Sequence, residues 1–217
     1  MPKMLLICGP NGAGKSSLRQ ATSLDEEMPV IDPDRLARES GLSPIEAGKE
    51  AARRARGHIT AKESFAREST MTARFDEELI RLAKRSGYDV ELFFVGLNSA
   101  DLAIERVAER VAKGGHDVPS ADVVRRYERG LASLGKMLGT VDRARVFDNT
   151  RRGYRLVMIV ECGKAHTLEG VRLPSWVGTA LKLGRDFEQG RLGGAELDRH
   201  ITKSIALRVE AEYGIGM

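Results

Sequence analysis

No apolar run in this sequence comes near the roughly 20 residues that a membrane-spanning helix requires; the longest are MLLIC, LFFVG and LVMIV. The opening MPKMLLICGP has one lysine and no long apolar stretch ahead of a cleavage site, so a signal peptide is not expected. Cysteine is scarce. Cys8 and Cys162 each sit in an apolar strand-like run, without CxxC or metal-ligand spacing, which predicts reduced core thiols and a cytoplasmic address. Aromatics are 5% of the chain, too few for a platform that stacks single-stranded bases, so nucleic acid is a disfavoured partner despite a net charge of +4. His58, His166 and His200 have no partners at ligand spacing and are read as structural or surface residues. No repeat or low-complexity tract is present.

What is there is an ordinary globular composition, 41% apolar and 30% charged, over 217 residues, enough for one sizeable core and short for two domains. Of its 35 basic residues 25 are arginine, which suits bidentate phosphate contacts. Strand-like runs are expected at roughly residues 4–8, 30–31, 64–66, 90–95, 145–147 and 156–160. Helical patterns separate most of them, at roughly 15–21, 34–39, 45–62, 72–86, 101–113, 121–138 and 195–212. This alternation predicts a single α/β domain over 1–217, three layers deep, with a mostly parallel sheet between helices. Gly163–Lys164 should turn the sixth strand into a hairpin, and Pro174 should start a C-terminal helical cover over about 174–217, with Trp176 as a packing anchor.

The first strand runs into GPNGAGKSS, which matches G-x-x-x-x-G-K-[ST] at Gly9, Gly14, Lys15 and Ser16, between a buried-type strand and a helix. The backbone from Gly9 through Pro10, Asn11, Gly12, Ala13 and Gly14 to Ser17 would curl around a phosphate at a helix N-terminus, offering the N–H groups of its residues other than Pro10. Lys15 would reach the β- and γ-phosphates of ATP or GTP, and Ser16 would hold Mg²⁺. No N-K-x-D is present to read guanine, ELFFVGLN ends without an acid, and FDEEL lies inside a helical pattern. Those absences disfavour regulatory GTPases and motor-type ATPases and leave a small-molecule kinase.

Such an enzyme needs a carboxylate beside the acceptor hydroxyl and cations over the moving phosphoryl group. In VIDPDRLARES, Asp32 suits an N-cap with Pro33 at the first helical position, which leaves Asp34 favoured over Asp32 as base. Glu68 and Thr70 should follow the third strand at the sheet's carboxyl edge and bind substrate, or else cap a helix. The cations lie in ERVAERVAKGGHDVPSADVVRRYERGL, two arginine-bearing helices joined by glycines, a lid over about 99–138. Ile104, Val107, Ala108 and Val111 form the expected apolar stripe of the first lid helix. Arg110 then sits nearer the core boundary than Arg106, at about 110° against about 150° from the stripe. In the second, Val124, Tyr127, Leu131, Leu134 and Leu138 form the stripe and Arg125, Arg126 and Arg129 project away. Asp148 and Asn149 end the fifth strand, with Arg151 or Arg152 available to stack on a base.

Taken in order, GPNGAGKS, VIDPD, EST and the arginine-rich lid with FDN after it resemble the zeta toxin family of P-loop kinases over roughly residues 3–150. The resemblance implies the P-loop NTPase fold and phosphorylation of UDP-N-acetylglucosamine at a sugar hydroxyl. It also implies an antitoxin partner that obstructs the nucleotide site. By that resemblance Lys15 and Ser16 match the nucleotide loop, Asp34 the base, Glu68 and Thr70 a substrate-contacting pair, and Arg110 a phosphate-contacting arginine. Where the toxins carry a second lid arginine this chain has His116, with Arg125 or Arg126 as substitutes, and Glu50 is a loose match for a further substrate-binding glutamate. Other acceptors stay open, among them an antibiotic, nucleoside or polynucleotide hydroxyl, as does a non-catalytic nucleotide- or RNA-binding module.

Overall fold

β1 (Lys3–Cys8) is apolar on both faces, and Met4 to Cys8 are all buried without alternation, as befits a strand covered by helices on both sides. The computed structural model of the chain describes residues 1–183 apart from Ala73 and Glu169. Within it β1 is an interior strand of a seven-stranded sheet, flanked in parallel by β3 (Phe65–Ser69) and β4 (Asp89–Gly96). Beyond β3 lies β2 (Val30–Ile31), and beyond β4 lie β5 (Arg143–Asp148), β6 (Arg155–Glu161) and β7 (Lys164–Thr167). The first five strands are parallel and the last two antiparallel, so β1 to β5 deliver their following loops to one edge. The expected three-layer α/β/α fold with a mostly parallel sheet is the fold found.

Local chemistry accounts for the helices at that edge. α1 (Lys15–Ala21) starts from Gly14 in the left-handed region, and the single-turn α2 (Leu24–Glu27), which periodicity is too short to reveal, follows. Asp32 caps α3 (Pro33–Ser40), its Oδ1 accepting from the N–H groups of Asp34 and Arg35 at 3.0 and 3.2 Å, with Pro33 at the first position. A capping box between Ser43 and Glu46 opens α4 (Pro44–Ala61), which buries Ala47, Ala51, Ala55 and Ile59 along one line. α5 (Arg74–Arg85) precedes β4, and the lid helices are α6 (Ala100–Ala112) and α7 (Ser120–Met137). α8 (Ser175–Leu183) begins just after Pro174 and buries Trp176, while the helix expected at about 195–212 lies outside the described residues.

Several expectations change. The third strand extends to Ser69, so Glu68 lies within it rather than after it. Cys162 is exposed in the β6–β7 turn, at φ 50°, and is not a core thiol. In α6 the buried residues are Ala103 and Val107, whereas Ala108 and Val111 of the expected stripe face solvent. The helix approaches the phosphate loop through its smallest side chain, since a Cβ built on Gly12 would lie 2.7 Å from the Ala103 carbonyl oxygen. That close approach rotates the buried face, leaving Arg110 about 40° and Arg106 about 80° from its centre. In α7 the inward residue is Val123 rather than Val124, with Tyr127, Leu131 and Leu134 as expected.

Candidate active site

The phosphate loop has positive φ at Gly9, Gly12 and Gly14, of 142°, 74° and 97°. Gly14 is also sterically compelled: a Cβ there would sit 2.7 Å from Asn149 Nδ2 and 2.9 Å from the Tyr154 hydroxyl. Both neighbours are tied to the loop. Asn149 donates to the Ala13 carbonyl at 2.8 Å, and the Tyr154 hydroxyl donates to the Gly14 carbonyl at 2.7 Å. Lys15 is buried, and its ammonium donates to the Gly9 and Pro10 carbonyls at 3.0 and 3.1 Å, within the loop's own hollow. Gly14, Lys15, Asn149 and Tyr154 border a cavity of about 430 Å³ that Asp34, Glu68 and Arg152 also line.

The acid end of the cavity is organised by α1. Lys15, Leu18 and Arg19 are its buried residues, and Arg19 lies 3.2 Å from Asp25, 3.3 Å from Asp32 and 3.5 Å from Glu68. Glu68 in turn accepts from the Ser16 hydroxyl, at 3.0 Å to Oε1 and 3.3 Å to Oε2. Burial raises the Glu68 carboxyl above the ordinary carboxylate value, opposed by the Lys15 charge and reinforced by Asp32. Asp32 is buried in its capping bonds, whereas Asp34 two positions on is exposed and lines the cavity.

The opposite wall is cationic. Arg106, Arg110 and Lys113 line the cavity from α6 and its C-terminal end. Arg106 donates to the Thr150 carbonyl at 3.1 Å, and burial together with the neighbouring Arg152 charge lowers its guanidinium from the usual value. Arg110 donates to the His116 carbonyl at 2.6 Å. Arg152 pairs with Glu109 across the mouth, and burial raises the Tyr154 phenol.

The expected site residues therefore divide. Gly12, Gly14, Lys15, Ser16, Ser17, Asn11, Asp34, Glu68 and Arg110 border one cavity. Gly9, Pro10 and Ala13 act from behind it, accepting bonds from Lys15 and Asn149. Arg126 reaches the loop itself, donating to Asn11 Oδ1 at 3.3 Å. Three expected substrate contacts are elsewhere. Thr70 bonds with the Thr72 hydroxyl at 3.2 Å, because the chain has left β3 and turned toward α5. Arg125 faces solvent on α7 and pairs with Asp122 at 2.8 Å. His116 is exposed and offers the site's arginine only its backbone carbonyl. Glu50 pairs with Arg53 and Arg54 at 2.7 Å, in a separate shallow depression.

Sequence reasoning missed Arg19, Asn149's clamp and Tyr154, and set Arg106 farther from the core than the structure does. Arg19 carries a signal, lying four residues after Lys15 on the loop helix and hence on the same face. Tyr154 carries none, since only the return of the chain after β5 brings it to Gly14.

No family model matches the chain. An uncharacterized protein of Haemophilus influenzae is 34% identical over 130 residues, which are 58% of this chain and 92% of that protein. The chain belongs to the family of that protein. Among solved structures it is similar to a kinase candidate from Chloroflexus aurantiacus, with a TM-score of 0.52 at 20% identity over 69% of this chain and 89% of the other. It is also similar to the PezAT toxin-antitoxin system of Streptococcus pneumoniae, with a TM-score of 0.53 at 18% identity over 73% and 71%. The AvrRxo1-ORF1:ORF2 complex solved with ATP has a TM-score of 0.56 at 17% identity over 98% and 71%. These likenesses establish a zeta-toxin-like P-loop kinase fold.

Proposed function

We propose that this member of the Haemophilus protein's family is a nucleoside-triphosphate-dependent phosphotransferase of the zeta toxin type, acting on a hydroxyl of a small metabolite, with UDP-N-acetylglucosamine as the first acceptor to test. One observation carries the proposal: a single cavity is lined by the Lys15 and Ser16 loop, by the exposed Asp34 and by Arg106 and Arg110. Phosphoryl transfer asks for little else, being mostly positioning and charge neutralisation. The loop holds the triphosphate, Lys15 turns from its carbonyls to the transferring group, and Arg110 leaves the His116 carbonyl to neutralise developing charge. Asp34 accepts the acceptor's proton, while Asp32 stays engaged as cap. Use of ATP is supported by the ATP complex of AvrRxo1.

The donors present suit Mg²⁺, which prefers hard oxygen ligands and keeps several waters. Ser16 would supply a hydroxyl ligand, and Glu68, which accepts from that hydroxyl, would orient it and add negative charge beside the ion. Among the described residues no cluster of three His, Cys, Asp or Glu would hold a metal alone, so the ion would enter with the nucleotide. Bound there it neutralises charge on the β- and γ-phosphate oxygens. An antitoxin that blocks the nucleotide cavity is the expected protein partner, by analogy with the PezAT system. Two free cysteines, one buried and one exposed, suit a cytoplasmic address, and no helix of the described residues is long and apolar enough to cross a membrane.

The test is incubation with γ-labelled ATP and a panel of UDP-sugars, nucleosides, hydroxyl-bearing antibiotics and 5′-hydroxyl oligonucleotides. Label is expected on UDP-N-acetylglucosamine. Label on another compound would reassign the acceptor, and tight nucleotide binding without any transfer would replace the enzyme reading with that of a binding module.

A further inference from the structure

Trp176 is the chain's one tryptophan, and it lies on α8, outside the cavity. It is 2% exposed, packs on Phe94 at 5.9 Å between ring centroids, and donates from Nε1 to Asp148 Oδ1 at 3.1 Å. Gly96 makes the slot for it, since a Cβ there would lie 2.2 Å from the indole. Asp148 is the last residue of β5 and takes two more donors, Thr150 Oγ1 at 2.6 Å and Arg155 at 3.2 Å. Its neighbour Asn149 donates its backbone N–H to the Gly96 carbonyl at 3.0 Å and its side-chain amide to the Ala13 carbonyl of the phosphate loop at 2.8 Å. A continuous chain of buried contacts therefore runs from the indole to the loop. α8 also packs on α7, which sends Arg126 to Asn11 of the same loop.

We infer that α8 is a working part of the nucleotide site and that Trp176 is a positioning residue for the phosphate loop. The inference rests on the nucleotide-binding reading above. A buried indole N–H and a buried carboxylate each need a partner, so the Trp176–Asp148 bond fixes the end of β5 as firmly as it fixes α8. Asn149 inherits that position and hands it to Ala13, where a displacement of an ångström is felt at the phosphates. Core packing alone would give Trp176 no influence on nucleotide affinity at constant stability.

Because the indole is unique, its emission reports the contact directly. Saturating ATP-Mg²⁺ is expected to shift or quench Trp176 fluorescence in the full chain. Trp176→Phe keeps a ring in the slot but removes the donor, and should raise the ATP Kd about 3–10-fold, the equivalent of one hydrogen bond. Turnover at saturation should stay within about twofold, a KM effect without a kcat effect. Asn149→Ala should weaken binding too, and the double variant should lose less than the sum, because both act through one link. Strictly additive losses, an unchanged Kd in Trp176→Phe, or an emission unmoved by ATP in a wild type that binds it would each overturn this inference and leave the nucleotide reading standing. A wild type that binds no nucleotide by calorimetry would overturn both. The wild-type emission needs no variant to fold.

Discussion

The phosphate loop and the lid face each other across one cavity, and they are built in opposite ways. Loop groups are buried and already bonded: Lys15 to two carbonyls, Asn149 to Ala13, Tyr154 to Gly14. Lid groups are exposed or held by single contacts, with Arg110 on its own connection's carbonyl and Lys113 and His116 in solvent. The connection passes through Gly114 at φ 82°, where an added Cβ would meet nothing. A site that must bind a polyanion tightly gains from preorganised dipoles, which cost no rearrangement at the moment of reaction. A site that must admit a second substrate and then exclude water needs one wall that moves. On the function proposed above, the contrast would give affinity to the loop and assembly of the reacting centre to the lid.

The largest effect should come from the loop itself. Lys15→Ala is expected to lower single-turnover transfer by about 10³-fold or more, as loss of a phosphate-clamping charge does elsewhere; a variant with near-normal turnover would break the comparison. Next, Asp34→Ala should lower kcat by about 10²-fold or more while nucleotide affinity stays within about twofold, as the proposed role of base to the acceptor requires. Calorimetry beside rapid-quench measurement separates the two. The lid can then be divided against itself. Arg110→Ala should cost about 10–10²-fold in kcat, whereas Arg125→Ala, an exposed partner of Asp122, should stay within about twofold.

The smallest effect concerns stability. Burial raises the Glu68 carboxyl in the folded protein above its ordinary value of 4.5. Above 4.5 the folded state holds a proton that the unfolded chain has released, so this contribution is complete below that pH and is lost as pH rises through the folded value. Glu68→Gln removes the charge and keeps an acceptor for Ser16. Its melting temperature should rise relative to wild type as pH increases from about 4.5 toward neutrality, measured by calorimetry without nucleotide. A parallel pH dependence of the two proteins would mean that Arg19 and Lys15 fully offset the cost of burying that charge.

Which parts of this were legible before folding follows from the range of the interactions. The phosphate loop and the Asp32 cap are local: their donors and acceptors lie within a few residues, so spacing alone reveals them. Parallel α/β architecture was legible from the alternation of apolar runs and helical periods. The lid arginines were ranked on a stripe of the largest apolar residues. Ala103 and not Val111 faces inward, because close approach to Gly12 rewards a small side chain over a hydrophobic one. Hence Arg106, which that stripe set about 150° away, lines the cavity with Arg110. Glu68, expected just after the third strand, stands within β3 beside β1, with Ile7 opposite Glu68.

Sequence by itself determined that a strand, a glycine-rich turn and a helix would make a phosphate cradle, because that geometry is encoded in consecutive backbone torsions and needs no distant partner. Only the tertiary structure decided which side chains surround it. Glu68 meets Ser16 through sheet order, Tyr154 and Asn149 meet the loop through the return after β5, and Trp176 meets Asp148 through the docking of α8. Each of these contacts joins residues 28 to 140 positions apart, and no local torsion carries that information.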